Sequence, residues 1–254
     1  MKQFRFLLQC SLLLAAGTAH ASPVTVRITA QENLPPKWIA YDNRVEGVCP
    51  DILAAIEKIE PRLRFTGQRD ARSVPVMEKE VEAGRIDAMC ALLDTPRRRQ
   101  IAQIVGASLY SVRHKLAAAA ADPVVVNHVD DLVRLKSLVN TTRGASYVDQ
   151  LRGLGVEVDD SSGDMAVNLK KVLIGRGRFA YMNELTLAWI IQVEGLQEKI
   201  RILPATLKEE PIYFWMGRKV DPATIKMVAD ALDKLAANGE LARIYERWAS
   251  VKLK

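Results

Sequence analysis

The order of apolar patterns along the chain constrains its fold more than any other feature. Residues 24–29 alternate and are β-rich, which predicts a strand. Gly47-Val48-Cys49-Pro50-Asp51 opens a helix with the stripe Ile52, Leu53, Ile56 and Ile59, and Pro61 ends it. Residues 63–66 make a second strand, and residues 74–83 an amphipathic helix closed by Gly84. Residues 86–93 are a short apolar run suited to a strand covered on both faces. This β-α-β-α-β order demands a parallel sheet with helices on both faces, since each crossover between parallel strands takes a helix-length connection.

The plan then repeats. Residues 104–116 read as an extended connector that leaves the first lobe. Strands are expected at residues 137–141, 156–158, 179–182 and 200–203, with helices at 130–135, 148–154, 164–174 and 184–193 between them. Gly84-Arg85-Ile86-Asp87-Ala88-Met89 is faintly echoed by Gly177-Arg178-Phe179-Ala180-Tyr181-Met182. Residues 211–216 look like a second connector. Asp221-Pro222 then starts a long helix with the stripe Ile225, Val228, Leu232 and Leu235; Gly239 breaks it, and Leu241, Ile244, Tyr245 and Trp248 mark a last short helix. Two similar α/β halves with a cleft between them is the simplest architecture that fits.

The first residues read as an address rather than as fold. Lys2 and Arg5 precede an apolar run, too short to span a bilayer, that ends in Ala19-His20-Ala21. Cleavage after Ala21 is expected, which makes the protein an exported one; Cys10 has Gln9 before it, where a lipoprotein signal wants a small residue. What remains, roughly 230 residues, suits one large domain or two lobes. The net charge of +6 over 254 residues falls by the two charges of Lys2 and Arg5 on cleavage. The basic residues are scattered among acids and do not interleave with aromatics, so nucleic-acid binding has little support.

Cleavage leaves Cys49 and Cys90. In an oxidising compartment an isolated pair is expected to bridge, and closing a loop of about 40 residues is worth roughly 4 kcal/mol in the chain-entropy model. The alternative is two buried thiols packed as small hydrophobes.

Catalytic signatures are thin. There is no Cys-x-x-Cys, His-Glu-x-x-His, Gly-x-Ser-x-Gly or phosphate loop, and no cofactor or metal motif. His114 and His128 read as connector or surface residues. Residues 84–99 carry the sharpest local signal. There a buried strand ends at Thr95, an N-cap, with Pro96 at the first helical position and Arg97, Arg98 and Arg99 after it. Cations in a first helical turn oppose the helix dipole, so these three stand in solvent or meet an anion. Trp38, in a loop after the first strand, lies where α/β sheets bind ligands.

Several modest motifs in order give the chain, from Val24 to Trp248, a resemblance to periplasmic solute-binding proteins of the amino-acid-binding type, extracellular family 3. Leu34-Pro35-Pro36 looks like that family's proline pair after strand one. Residues 47–53 resemble its glycine-to-aspartate helix start, residues 84–88 its Gly-x-x-Asp-Ala strand entry, Thr95-Pro96-Arg97-Arg98 its Thr-x-x-Arg motif, and residues 238–248 its C-terminal signature. The resemblance implies a two-lobed clamshell, each lobe a mostly parallel sheet flanked by helices, joined by two connecting strands. The expected division is residues 1–21 signal peptide, 22–112 first lobe, 113–210 second lobe and 211–254 the return to the first. It implies a small amino acid, amine or organic acid closed between the lobes of a monomer, for delivery to an ABC transporter permease or a membrane sensor.

Within that resemblance Arg98 holds the ligand carboxylate, with Thr95 and Leu93 beside it, while Arg97 and Arg99 face solvent. Gly144, Ser146 and Tyr147 form the second-lobe Gly-x-Ser contact. Asn183-Glu184 stands where the family commonly has an aspartate for the ligand ammonium, so Asn183 or Glu184 is expected there. Arg72, in the loop before the second helix, is a further candidate. An exported dehydratase for prephenate-like substrates, with Glu184 or Glu32 as general acid, is the alternative on the same scaffold. A receptor module for a signalling partner is the third. Thiol counting on unreduced protein is expected to find Cys49 and Cys90 unavailable; two free thiols would remove the bridge.

Overall fold

Residues 23–250 are described in a computed structural model of the chain, and the export signal expected over residues 1–21 lies outside them. The first lobe begins with β1 (Val24–Arg27), β2 (Ala30–Gln31), β3 (Ile39–Ala40), β4 (Val45–Glu46) and α1 (Val48–Ile59). It continues through β5 (Leu63–Thr66), β6 (Ala71–Arg72), α2 (Val74–Ala83), β7 (Ala88–Leu93) and α3 (Pro96–Ile101). β1 pairs in parallel with β5, and Ile28 bridges in parallel to Ala88 of β7. The expected β-α-β-α-β unit is therefore present, with Gly84 closing α2 in a left-handed conformation and the Thr95 hydroxyl capping α3. The short strand pairs β2–β6 and β3–β4 lie in stretches read only as loop. Two residues of backbone pairing leave no apolar period to read.

The second lobe holds α4 (Val129–Arg134), β9 (Val139–Thr142), α5 (Tyr147–Gly153), β10 (Val158–Ser162), α6 (Met165–Leu173), β11 (Phe179–Asn183), α7 (Glu184–Val193) and β12 (Ile200–Ile202). Here β10, β9 and β11 are parallel neighbours. The strand expected at 156–158 instead begins at Val158 and runs through Asp159, Asp160, Ser161 and Ser162. It is an edge strand that pairs only with β9, so its side chains stay polar and give no strand pattern.

Two long strands belong to both halves. β8 (Ala102–Ala119) has eighteen residues, with an irregular stretch between Val105 and Tyr110 that contains the left-handed Gly106. Its first part pairs antiparallel with β13 (Lys208–Gly217), its second with β11 and β12. β13 also pairs with β7, so one seven-stranded sheet runs through the molecule. Two large apolar cores flank this crossing, one around Ile52, Leu53, Phe214 and Leu232, the other around Leu116, Leu169, Phe179 and Leu187. The chain returns to the first core as α8 (Pro222–Ala237), capped by Asp221, and α9 (Glu240–Ala249). Cys49 of α1 and Cys90 of β7 are joined by a disulfide, tying helix to sheet inside the first core.

The packing of α8 on β8 depends on one glycine. Gly106 has φ +68°, and a Cβ there would stand 2.7 Å from Cβ of Leu232. Gly106→Ala is expected to cost about 1–3 kcal/mol, a fall in Tm of several degrees. Gly153→Ala, at the last residue of α5 with nothing within 4 Å of the added Cβ, is expected to stabilise by about 0.4–1 kcal/mol, by reducing the freedom of the unfolded chain. Thermal unfolding of the two variants checks the opposite signs.

Candidate functional site

The cleft between the halves holds a partly open cavity of about 130 Å³. That is close to the size of an engineered cavity that takes one benzene-sized molecule. From the first lobe its wall includes Glu32, Leu34, Lys37, Leu93, Arg98 and Tyr110; from the second, Arg143, Gly144, Ser146, Tyr147, Met182 and Asn183. The lobes touch at its edge: a Cβ on Gly144 would stand 3.2 Å from Cγ of Pro75, Leu34 packs against the second core and Leu185 against the first.

Arg98 is buried in the cavity wall at 3% exposure. Its Nε donates to Oε1 of Glu78 at 2.9 Å and its Nη1 to the carbonyl of Leu93 at 2.6 Å. A guanidinium has five N–H donors, so these two bonds leave others for a ligand. Arg97 and Arg99 point outward and pair with Glu82 and Asp94. The helix start thus carries three cations because three carboxylates of the chain itself meet them.

Lys37 is the second buried cation on this wall, at 6% exposure. Sequence reasoning noticed its loop but not its side chain. Its Nζ donates to the carbonyl of Ala91 at 2.5 Å. Both ends of that contact are built locally. The first amides of α1, on Val48 and Cys49, donate to the carbonyls of Pro36 and Lys37 at 3.0 and 3.1 Å. Gly47 allows the approach, for a Cβ there would lie 2.5 Å from the Pro36 oxygen. Ala91 has φ +57°, and the β7–β13 register slips between Tyr213 and Trp215 opposite it. Such a bulge turns a strand carbonyl out of its ladder and towards a site. Burial first, and the Arg98 charge second, push the Lys37 ammonium well below its ordinary pKa.

Several expected residues lie elsewhere. Trp38 does not line the cavity; the turn at Pro35–Lys37 leaves Lys37 facing the cleft, and the indole packs into the first core. Thr95 spends its hydroxyl on the N–H of Arg98 and is absent from the wall. Arg72 sits in β6, its guanidinium bonded to the Ala71 carbonyl and 4.0 Å from Glu80. Glu184 turns to the connecting strand and pairs with Arg113 at 2.8 Å and Lys115 at 2.9 Å. Leu93, Gly144, Ser146, Tyr147 and Asn183 do meet at the cavity. Asn183 caps α7, its Oδ1 accepting the Thr186 N–H at 2.9 Å. Tyr147 is held edge-on to His114 and Tyr181, and burial pushes its hydroxyl up to about 12. His114 lies on the connector as expected but is buried beneath the two tyrosines, where desolvation holds it at about 4 and neutral.

Because the folded chain releases the Lys37 proton more readily than the unfolded one, the unfolded state binds more protons between the lowered native value and 10.5. The Lys37 contribution to stability therefore rises with pH across that window. Urea unfolding at stepped pH is expected to show this rise in the ligand-free protein and its loss in Lys37→Met; a constant difference between the two would contradict it.

Comparison with known proteins places this geometry. None of the curated protein sequences matches the chain. A histidine kinase sensor domain with similarity to periplasmic binding proteins superposes with a TM-score of 0.76 at 16% identity, over 91% of this chain and 99% of its own. The probable amino-acid ABC transporter extracellular-binding protein ytmK from Bacillus subtilis gives 0.75 at 12%, over 89% and 98%. A mutant of ArgBP from T. maritima gives 0.73 at 13%, over 89% and 96%. Together they give the two-lobed binding-protein fold. The model of the bacterial extracellular solute-binding proteins, family 3, matches residues 26–251, and the chain belongs to that family.

Proposed function

We propose that this protein captures a small carboxylated solute, an amino acid or a related amine or organic acid, by closing its two lobes over it. One observation carries the reading: two buried basic side chains, Lys37 and Arg98, stand on the wall of the cleft cavity, Arg98 paired to the carboxylate of Glu78 and Lys37 to the neutral carbonyl of Ala91. A buried charge without a partner is costly, so a ligand anion is the natural complement. Arg98 supplies a guanidinium fork for the carboxylate, and Gly144, Ser146, Tyr147 and Asn183 close on it from the second lobe. The lobes divide near residues 112–113 and 210–211, a division supported by the two apolar cores on either side of β8 and β13.

The protein works in the periplasm after loss of residues 1–21, as a monomer, and hands its solute to an ABC transporter or presents it to a sensor. The family membership supports an extracellular place of work, and the solved relatives include both a transporter's binding protein and a sensor domain. The dehydratase alternative is narrower than its sequence suggested. Glu184 faces Arg113 and Lys115, which leaves Glu32 as the carboxylate on the cavity wall among the described residues. Phenylpyruvate released from prephenate by the pure protein would establish that alternative.

A thermal-shift screen over amino acids, polyamines and small organic acids is expected to pick out carboxylates, since a tight ligand raises Tm by mass action. Arg98→Ala is expected to weaken the best of them about tenfold or more by calorimetry, the scale of one charge-assisted hydrogen bond. Stabilisation by polyamines alone, or unchanged affinity in Arg98→Ala, would refute the reading.

A further inference from the structure

Lys37 and Arg98 share a wall but not a partner. We infer, on the strength of the carboxylate-binding reading above, that the cleft takes up its solute anion together with a proton, and that Nζ of Lys37 is the site of that proton. Arg98 is the fixed charge of the pair; the charge on Lys37 forms when the solute arrives.

The empty cleft favours the neutral amine. Lys37 is 6% exposed, and its partner is the carbonyl of Ala91, which accepts an N–H from an amine as well as from an ammonium. On the same wall stands Arg98, a guanidinium that keeps its proton. Desolvation and a like charge both act against a second cation, and together they lower the Lys37 pKa.

The charged and titratable groups around Lys37, element by element, leave that balance in place. On α2, the Glu78 carboxylate is bonded to Arg98. In the first turn of α1, Asp51 pairs with Arg247 and the indole of Trp248. Asp94, before α3, is held by Arg99. Glu32, after β2, lies on the wall but is exposed, so water screens its pull. The second lobe brings Arg143, a further cation, and Tyr147; β8 brings Tyr110. Burial pushes both tyrosine hydroxyls up, so they keep their protons. β7 and β13 add the apolar side chains of Leu93 and Ile212.

A carboxylate reverses the balance. Set against both basic side chains, it supplies the anion that Lys37 lacks, and the amine lone pair takes a proton from the medium. No bond to carbon forms or breaks. One ammonium N–H stays with Ala91 and two remain for the solute. The complex then binds more protons than the empty protein and the unbound solute together. Affinity therefore falls as pH rises from the lowered Lys37 value of the empty cleft to the higher value of the complex. For one proton the limit is about tenfold per pH unit.

Calorimetry on the intact protein tests this at stepped pH up to 10.5, the ordinary lysine value. Each titration is run in phosphate and in Tris, which release protons with different enthalpies. The solute is the most tightly bound of the L-amino acids, simple monocarboxylic acids and 2-oxo acids. Wherever affinity falls with pH, the heat is expected to be more endothermic in Tris, by an amount equal to the uptake of up to about one proton per solute. Lys37→Met removes the site but keeps any ionisation of the solute itself, so the difference between the two proteins isolates the lysine. Lys37→Gln, which keeps a donor for Ala91, serves if the methionine variant does not fold. The lysine's share of the buffer difference and of the pH dependence is expected to vanish in either variant. A heat that is independent of buffer at every pH, or an uptake unchanged in the Lys37 variants, overturns the inference. The carboxylate reading survives that result if Arg98→Ala still weakens binding. Failure of every carboxylate to bind overturns both.

Discussion

Two basic side chains buried on one cavity wall, Lys37 and Arg98, are the constraint around which the cleft is arranged. Removing either Lys37 or Arg98 from water is unfavourable, and placing them on one wall adds repulsion. The surrounding elements answer that cost one by one. The N-terminus of α1 holds the backbone before Lys37, Gly47 lets the two segments meet, and the bulge at Ala91 supplies a carbonyl for the ammonium. Glu78, on α2, supplies the one carboxylate. The Lys37 amine has a neutral carbonyl, that of Ala91, as its partner.

The same cations give the lobes a reason to close. β8 and β13 run through both halves, so the lobes share a spine rather than a flexible linker. In this arrangement the second-lobe turn at Gly144 stands against Pro75, and Tyr147 and Asn183 share the cavity wall with Lys37 and Arg98. A solute that touches both lobes favours the closed arrangement by the contacts that only that arrangement provides. Behind the spine, Glu184 ties α7 to Arg113 and Lys115 of β8, and Trp189 of α7 meets Trp248 of α9 at 5.9 Å between ring centroids. These contacts use up the charge of Glu184 in holding the frame.

Elements with a clear period were legible in the sequence. The helix at residues 74–83, the strand at 63–66 and the cap and proline of α3 stand where the pattern put them, because apolar spacing and capping chemistry are local. Arg98 was legible for the same reason, as an arginine at a strand-to-helix junction. Lys37 was not. It lies in a loop without period, and only the return of α1 onto that loop and the bulge in β7 decide that Lys37 faces the cleft and Trp38 the core. Glu184 was misplaced because nothing local says that two basic residues of a strand 70 or so positions earlier will claim it; that pairing exists only once the sheet has formed. The polar edge strand β10 was displaced for want of any apolar signal.

The account stands or falls on where a bound carboxylate sits. A crystal structure of the protein with a tightly bound solute measures this directly. The expected result is a carboxylate within hydrogen-bond distance of both Lys37 Nζ and the Arg98 guanidinium, with the rest of the solute against Leu34, Met182 and Leu185. A solute seated with its carboxylate elsewhere, or with a cationic group against Lys37, would contradict it.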